Sequence, residues 1–192
     1  MNYQDYIWDL GGTLLDNYET STAAFVHTLQ DFGLTASHDE VYKALKVSTD
    51  YAVRQFAPGN KEFLKSYKAN EAKELEHPIL FEGASELLAQ IIQQGGRNFL
   101  ISHRDDQVLE ILQKTQIGLY FTEVVTATNG FKRKPDPESM LYLKDKYQIE
   151  SGLVIGDRPI DIEAGQAAGF SCYLFDNMKN LEEFVDIELE KE

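Results

Sequence analysis

The sequence predicts an α/β protein: a parallel sheet covered by helices on both faces, with an all-helical block inserted after the first strand. Three observations carry this. Short apolar runs alternate with stretches of helical spacing, which is how a sheet buried on both faces reads. A block of about 55 residues near the start offers helices and no strand. Each apolar run also ends abruptly in Gly, Ser or Asp, as strands that open into loops do.

The first run, Tyr6-Ile7-Trp8, is broken by Asp9 and then by Gly11-Gly12, so it reads as a buried strand ending in a tight turn. From about Thr20 to Glu76 only amphipathic segments occur: Thr22 to Phe32, Asp39 to Val47, Thr49 to Phe56 and Glu62 to Leu75. Thr35, Ser37, Ser48 and Asn60 offer N-caps to them, and Gly33 and Pro58-Gly59 are breakers. This block, residues 19–77, is expected to form a helical cap domain on a core made of 1–18 and 78–192.

In the core, Leu87, Leu88, Ile91 and Ile92 share one helix face before a second strand at Asn98 to Ile101. Val108, Ile111 and Leu112 mark the next helix and Val124-Val125 the third strand. Met140, Leu141, Leu143 and Tyr147 mark another helix, followed by the strand Leu153-Val154-Ile155. Pro159, in a first helical turn, starts a helix that Gly169 stops. The fifth strand is Cys172 to Phe175, and Leu181, Phe184, Val185 and Ile187 give the acidic stretch from Glu182 to Glu192 the pattern of a last amphipathic helix.

The 192 residues correspond to about one domain with an insertion, at roughly 150 residues per domain. Eighteen basic against 32 acidic side chains leave a net charge of -14, the wrong sign for a nucleic-acid backbone or an anionic membrane surface. The single cysteine, Cys172, excludes an internal disulfide and a cysteine zinc cluster, and the four scattered histidines offer no paired metal spacing. The first residues lack the basic and apolar regions of a secretory signal, and no apolar run reaches membrane-spanning length, so a cytoplasmic protein is expected.

In an open parallel sheet, ligands sit beyond the carboxyl ends of the strands, so the residues there decide the chemistry. They are Asp9-Leu10-Gly11-Gly12-Thr13, Ser102-His103-Arg104, Lys132-Arg133-Lys134-Pro135, and Gly156-Asp157 with Asp161 one turn on. Two carboxylates, a hydroxyl and a lysine converge.

Taken in order, TrpAspLeuGlyGlyThrLeu from Trp8, IleSerHis from Ile101, LysProAspPro from Lys134 and ValIleGlyAspArgProIleAsp from Val154 resemble the haloacid dehalogenase-like (HAD) hydrolase superfamily. The resemblance spans nearly the whole chain and is closest to the phosphoglycolate-phosphatase-like branch with a small helical cap. It implies a Rossmann-like five-stranded sheet of order 5-4-1-2-3 and phosphoryl transfer through an aspartyl-phosphate at Asp9. Mg²⁺ would be held by Asp9, the Gly11 carbonyl and Asp157, with Asp161 holding metal waters or orienting the neighbours of Asp157. Lys134 and Ser102 would act on the transferred phosphoryl group, with the Gly12 and Thr13 backbone, His103 and Arg104 as further substrate contacts. Lys132 and Arg133 read as solvated or steering charges.

The residue types suit the chemistry independently. Phosphoryl transfer needs an in-line nucleophile and charge stabilisation, and two anions approach only when a cation intervenes. The expected partner is therefore a small phosphorylated metabolite, with neither nucleic acid nor membrane, bound by a monomer or weak homodimer.

One position departs from the family pattern. The family has an Asp two residues after the nucleophile, as general acid and base, and here that residue is Gly11. Glycine keeps the backbone carbonyl and deletes the carboxyl. General acid-base catalysis is typically worth about 10²–10⁴-fold, so turnover is expected to be slow or confined to good leaving groups such as acyl phosphates and phosphoanhydrides, unless Asp16 or His103 supplies the proton. The alternatives are a non-catalytic phosphate sensor and a phosphonate-cleaving enzyme that uses Lys43 or Lys46 of the insert as a Schiff base.

Overall fold

The computed structural model describes residues 3–74 and 76–189. The chain divides into two compact units, Met1–Leu15 with Leu80–Glu192, and Asp16–Ile79, where the sequence reading placed the insert at 19–77.

In the first unit the strands are β1 (Asp5–Trp8), β2 (Arg97–Ile101), β3 (Phe121–Val125), β4 (Gly152–Gly156) and β5 (Ser171–Leu174). They form one parallel sheet of order β3-β2-β1-β4-β5, which is the expected order read from the other edge. Strand β1 lies at the centre, with Ile7 opposite Phe99 on one side and Val154 on the other. Its alternation explains the unbroken apolar run: Tyr6 and Trp8 enter one hydrophobic layer, while Ile7 enters the other.

The layer of Tyr6 and Trp8 includes residues of helices α5 (Ala84–Gln93), α6 (Gln107–Lys114) and α9 (Met178–Leu189). The other contains residues of α7 (Glu138–Tyr147) and α8 (Pro159–Ala167). Asn98 of β2 is a fully buried polar residue, and it is satisfied: its carbonyl oxygen accepts Trp8 Nε1–H at 2.9 Å and its amide donates to the Leu88 carbonyl at 3.1 Å. Ile92 and Leu141 turn outward, so the stripes of α5 and α7 are narrower than the apolar spacing implies. The Ile187 side chain, Leu75 and residues 190–192 of the acidic stretch lie outside the described residues.

The second unit holds α1 (Asn17–Asp31), α2 (His38–Val47), α3 (Thr49–Phe56) and α4 (Phe63–Glu74). Ser37 and Glu40 form a reciprocal capping box at α2, Ser48 accepts the Tyr51 N–H at α3, and Asn60 accepts the N–H groups of Glu62 and Phe63 ahead of α4. Thr35 caps none of these helices. Helix α1 begins five residues before the apolar spacing does, because Asp16 accepts the Glu19 N–H at 3.0 Å and so starts a polar first turn. The unit has its own core, built on buried Phe25, whose ring meets Phe63 at 4.9 Å and Tyr67 at 5.0 Å edge-on. Among the described residues no helix is long and apolar enough to cross a membrane.

Candidate active site

Strand order reverses at β1, whose two neighbours β2 and β4 lead to opposite edges of the sheet. A crevice at the carboxyl ends is expected there, and β1 and β4 deliver Asp9 and Asp157 to it. The Asp9 N–H donates to the Ile155 carbonyl at 2.9 Å, so the sheet ladder continues one residue past β1 and fixes the start of the Asp9 side chain. The chain then folds back sharply: the N–H groups of Leu14 and Leu15 both donate to the Leu10 carbonyl, and Gly12 N–H to Leu15.

Glycine is required at two points. Gly12 has φ +83°, and a Cβ there would collide with the Asp157 carboxylate. A Cβ on Gly156 would collide with Cβ of Asp161, so glycine at the end of β4 lets the first turn of α8 fold back over the strand.

Lys134 is the hub. Its Nζ donates to Asp9 Oδ1 at 2.6 Å and pairs with Asp161 Oδ1 at 2.5 Å, with side-chain exposures of 1% for the lysine, 6% for Asp9 and 0% for Asp161. The second Asp161 oxygen accepts the Arg158 N–H at 3.1 Å, so both oxygens already have protein partners. Ser102 follows β2 and is buried; its Oγ accepts the Arg104 N–H at 3.3 Å, which leaves its own O–H to donate.

Asp9, Asp157 and Asp161 each place an oxygen within 4.8 Å of the others. Three carboxylates against one buried ammonium leave an excess of negative charge. Burial raises the Asp9 carboxyl above its ordinary value against the opposing pull of Lys134, and Asp161 adds to the rise. Asp157 is pushed up to about 6, by burial first and then by Asp9 and Asp161. Its Oδ1 is shut from solvent without a hydrogen-bond partner. A buried carboxylate oxygen of that kind calls for a cation. The donor set of Asp9, Asp157 and a neighbouring backbone carbonyl suits a hard divalent ion such as Mg²⁺, and Asp161 borders it while committed to Lys134 and α8.

Both candidate substitutes for the missing acid at position 11 have one side-chain atom engaged within the protein. His103 Nε2 accepts the Lys134 backbone N–H at 2.7 Å, and burial together with the charges of Lys134, Arg133 and Arg158 lowers its pKa to about 4. The ring is neutral at pH 7 and has no proton on the nitrogen facing Lys134. Asp16 caps α1 and accepts the Tyr42 hydroxyl at 3.4 Å. Gly11 itself is not among the glycines with positive φ.

The structure thus brings Asp9, Ser102, Lys134, Asp157 and Asp161 to one end of the sheet, with Gly12 and Thr13 in the buried turn beside them. Sequence reasoning missed the hydrogen bond from Lys134 to His103, the direct Lys134–Asp161 pair and the position of Arg158, whose guanidinium Nε lies 4.0 Å from Asp161. Gly156 was a readable sign that something packs against the end of β4.

A doubly wound sheet with carboxylates and a lysine at its switch point defines a Rossmann-like α/β protein with a charged cluster at the carboxyl ends of its strands. Residues 6–175 match the model of the haloacid dehalogenase-like hydrolase family, and the chain belongs to that family. It is 29% identical over 189 residues to a phosphoglycolate phosphatase of Aliivibrio fischeri, covering 88% of this chain and 81% of that one. The crystal structure of a hydrolase from Streptococcus pneumoniae TIGR4 is similar at 70% identity and a TM-score of 0.93, over 97% of this chain and 100% of that chain. A HAD-superfamily hydrolase of subfamily IA, variant 1, from Geobacter sulfurreducens PCA shares the fold, with a TM-score of 0.72 and 20% identity over 97% and 96% of the two chains. The family and the 70%-identical neighbour mark the chain as a hydrolase.

Proposed function

We propose that this chain is a Mg²⁺-dependent phosphatase that acts on a small phosphorylated metabolite with a good leaving group, and that the helical insert is its cap. The observation that carries the reading is Lys134 held between Asp9 and Asp161 with nearly all of its charge hidden from water. In such a site an ammonium interacts more strongly with phosphoryl oxygens than it would at the surface.

One Asp9 oxygen attacks phosphorus, and the bond from phosphorus to the leaving oxygen breaks with its electron pair, giving an acyl phosphate on Asp9. Water then attacks the same phosphorus, the bond to the Asp9 oxygen breaks, and the water proton leaves with phosphate or to solvent. Lys134 holds the nucleophile in place, and the Ser102 hydroxyl donates to the transferred oxygens. A bound Mg²⁺ supplies positive charge that offsets the repulsion between Asp9 and the incoming anion.

The test is Mg²⁺-dependent phosphate release from acetyl phosphate or p-nitrophenyl phosphate. Wild type is expected to turn over at least one, with a trapped phosphoenzyme on acid quench, and Asp9→Asn to abolish both signals. Equal rates in the variant would sink the reading.

A second reading, a phosphate-ligand sensor without turnover, is favoured by the loss of the acid at Gly11. Thermal stabilisation by phosphate compounds without release would select it. Phosphonate cleavage through a cap lysine has less support. Lys43 and Lys46 are exposed, whereas a Schiff-base lysine is activated by burial, and the Lys46 ammonium is engaged with aromatic rings, 5.1 Å from the Tyr42 ring centre and 5.8 Å from that of Tyr18.

A further inference from the structure

We propose that Arg158 determines leaving-group specificity, selecting phosphoryl donors whose leaving group is an oxyanion with a second oxygen, the acyl phosphates and phosphoanhydrides, over alkyl esters. The inference rests on the phosphatase reading and narrows its substrate class.

A leaving alkoxide must be protonated as it departs, and the groups that could do so are ill suited among the described residues: position 11 lacks a carboxyl, His103 Nε2 accepts the Lys134 backbone N–H, and Asp16 Oδ1 caps α1. The alternative is a leaving oxygen that needs no proton. When the phosphorus–oxygen bond of an acyl phosphate or diphosphate breaks, the electron pair spreads onto the other oxygens of the departing carboxylate or phosphate. A guanidinium that forks across two such oxygens supplies what the acid would have supplied.

Arg158 has the attributes for this task. It follows Asp157 directly, and its backbone N–H is tied to Asp161 at 3.1 Å, so its Cα is anchored to the site. Its side chain is 52% exposed and, among the described residues, makes one ion contact, at 4.0 Å to Asp161, whereas Lys134 is consumed by two carboxylates and Lys132 pairs with Asp136 at 3.6 Å. Its Nε approaches the Asp161 carboxylate that pairs with Lys134, and Lys134 in turn holds Asp9, so the guanidinium borders the ion-pair cluster that contains the nucleophile.

The experiment compares wild type, Arg158→Gln and Arg158→Lys on acetyl phosphate, pyrophosphate and p-nitrophenyl phosphate with Mg²⁺, with thermal melts to check folding. The nitrophenolate leaving group is activated but offers one oxygen at the broken bond. Arg158→Gln is expected to lower kcat/KM about 10²-fold on acetyl phosphate and pyrophosphate, the order seen when a charge-stabilising donor is removed, and to leave p-nitrophenyl phosphate nearly unchanged. Arg158→Lys, with charge but no fork, should fall between. A uniform loss on all three compounds, or no loss on any, overturns the proposal while leaving the phosphatase reading standing. So does a wild type that cleaves p-nitrophenyl phosphate and neither anhydride. A wild type that cleaves none and forms no phosphoenzyme removes both.

Discussion

The two ends of the same sheet treat buried charge in opposite ways. At the amino ends, Asp5 of β1 pairs with Arg97 of β2 at 2.6 Å, and the guanidinium also donates to the Tyr147 carbonyl at 3.3 Å and lies over the Phe99 and Tyr147 rings. One anion meets one cation, and both are hydrogen-bonded. At the carboxyl ends, Asp9 and Asp161 share Lys134, Asp157 lies beside them, and one Asp157 oxygen is left without a hydrogen-bond partner. The first arrangement stabilises a fold and asks for nothing more. The second retains unneutralised charge, which costs stability and is the kind of excess found at functional sites.

The sharpest change to the carboxyl end is Gly11→Asp. Gly11 is not among the glycines that need a positive φ, in contrast to Gly12 beside it. If position 11 alone limits the chemistry, turnover of alkyl phosphates should rise by about 10²–10⁴-fold, while acetyl phosphate changes far less. Steady-state rates on glycerol phosphate and acetyl phosphate would measure this. An unchanged alkyl rate would mean that another feature, such as the insert, excludes those substrates.

The excess charge can be titrated. Asp157 is raised to about 6 from an ordinary 3.8, so the folded state holds that proton more tightly than the unfolded chain does. In metal-free protein the stability this provides is complete below about pH 4 and lost as pH rises through 6. Asp157→Asn, neutral throughout, escapes the loss, so with chelator present the variant should gain on wild type between pH 4 and 7. Added Mg²⁺ at pH 7 should reverse the order by raising the melting temperature of wild type more than that of the variant. A difference between the two proteins that ignores both pH and Mg²⁺ would mean that Asp157 is neither raised nor a cation ligand.

The contrast between the ends was partly legible beforehand. Burial on both faces turns β1 into the apolar run Tyr6-Ile7-Trp8, and the acids and glycines that end each strand stand out against such runs. The locally encoded caps Ser37, Ser48 and Asn60 were equally readable. What could not be read depends on tertiary approach. Lys134 and Asp161 are 27 residues apart, and nothing in either segment says that their side chains meet. His103 resembles a catalytic histidine until its ring nitrogen is found accepting a backbone N–H. The first turn of α1 was missed because Asn17–Ser21 carries no apolar period, and Ile92 and Leu141 were assigned inward because their helix stripes are narrower than their composition.

The amino end should respond only in stability. Asp5 is 4% exposed in its side chain and Arg97 39%, so Arg97→Met keeps most of the packing while leaving a buried carboxylate without its cation. The expected cost is about 1–3 kcal/mol, read by urea or thermal unfolding, and the double variant with Asp5→Asn should recover part of it because no charge is then buried alone. Phosphate release and Mg²⁺ stabilisation should be unchanged, since four residues of extended chain, about 13 Å, separate Asp5 from Asp9. Loss of activity in Arg97→Met at a temperature where the protein is still folded would mean that the two ends of β1 are coupled, and that the balanced pair helps to set the geometry of the unbalanced one.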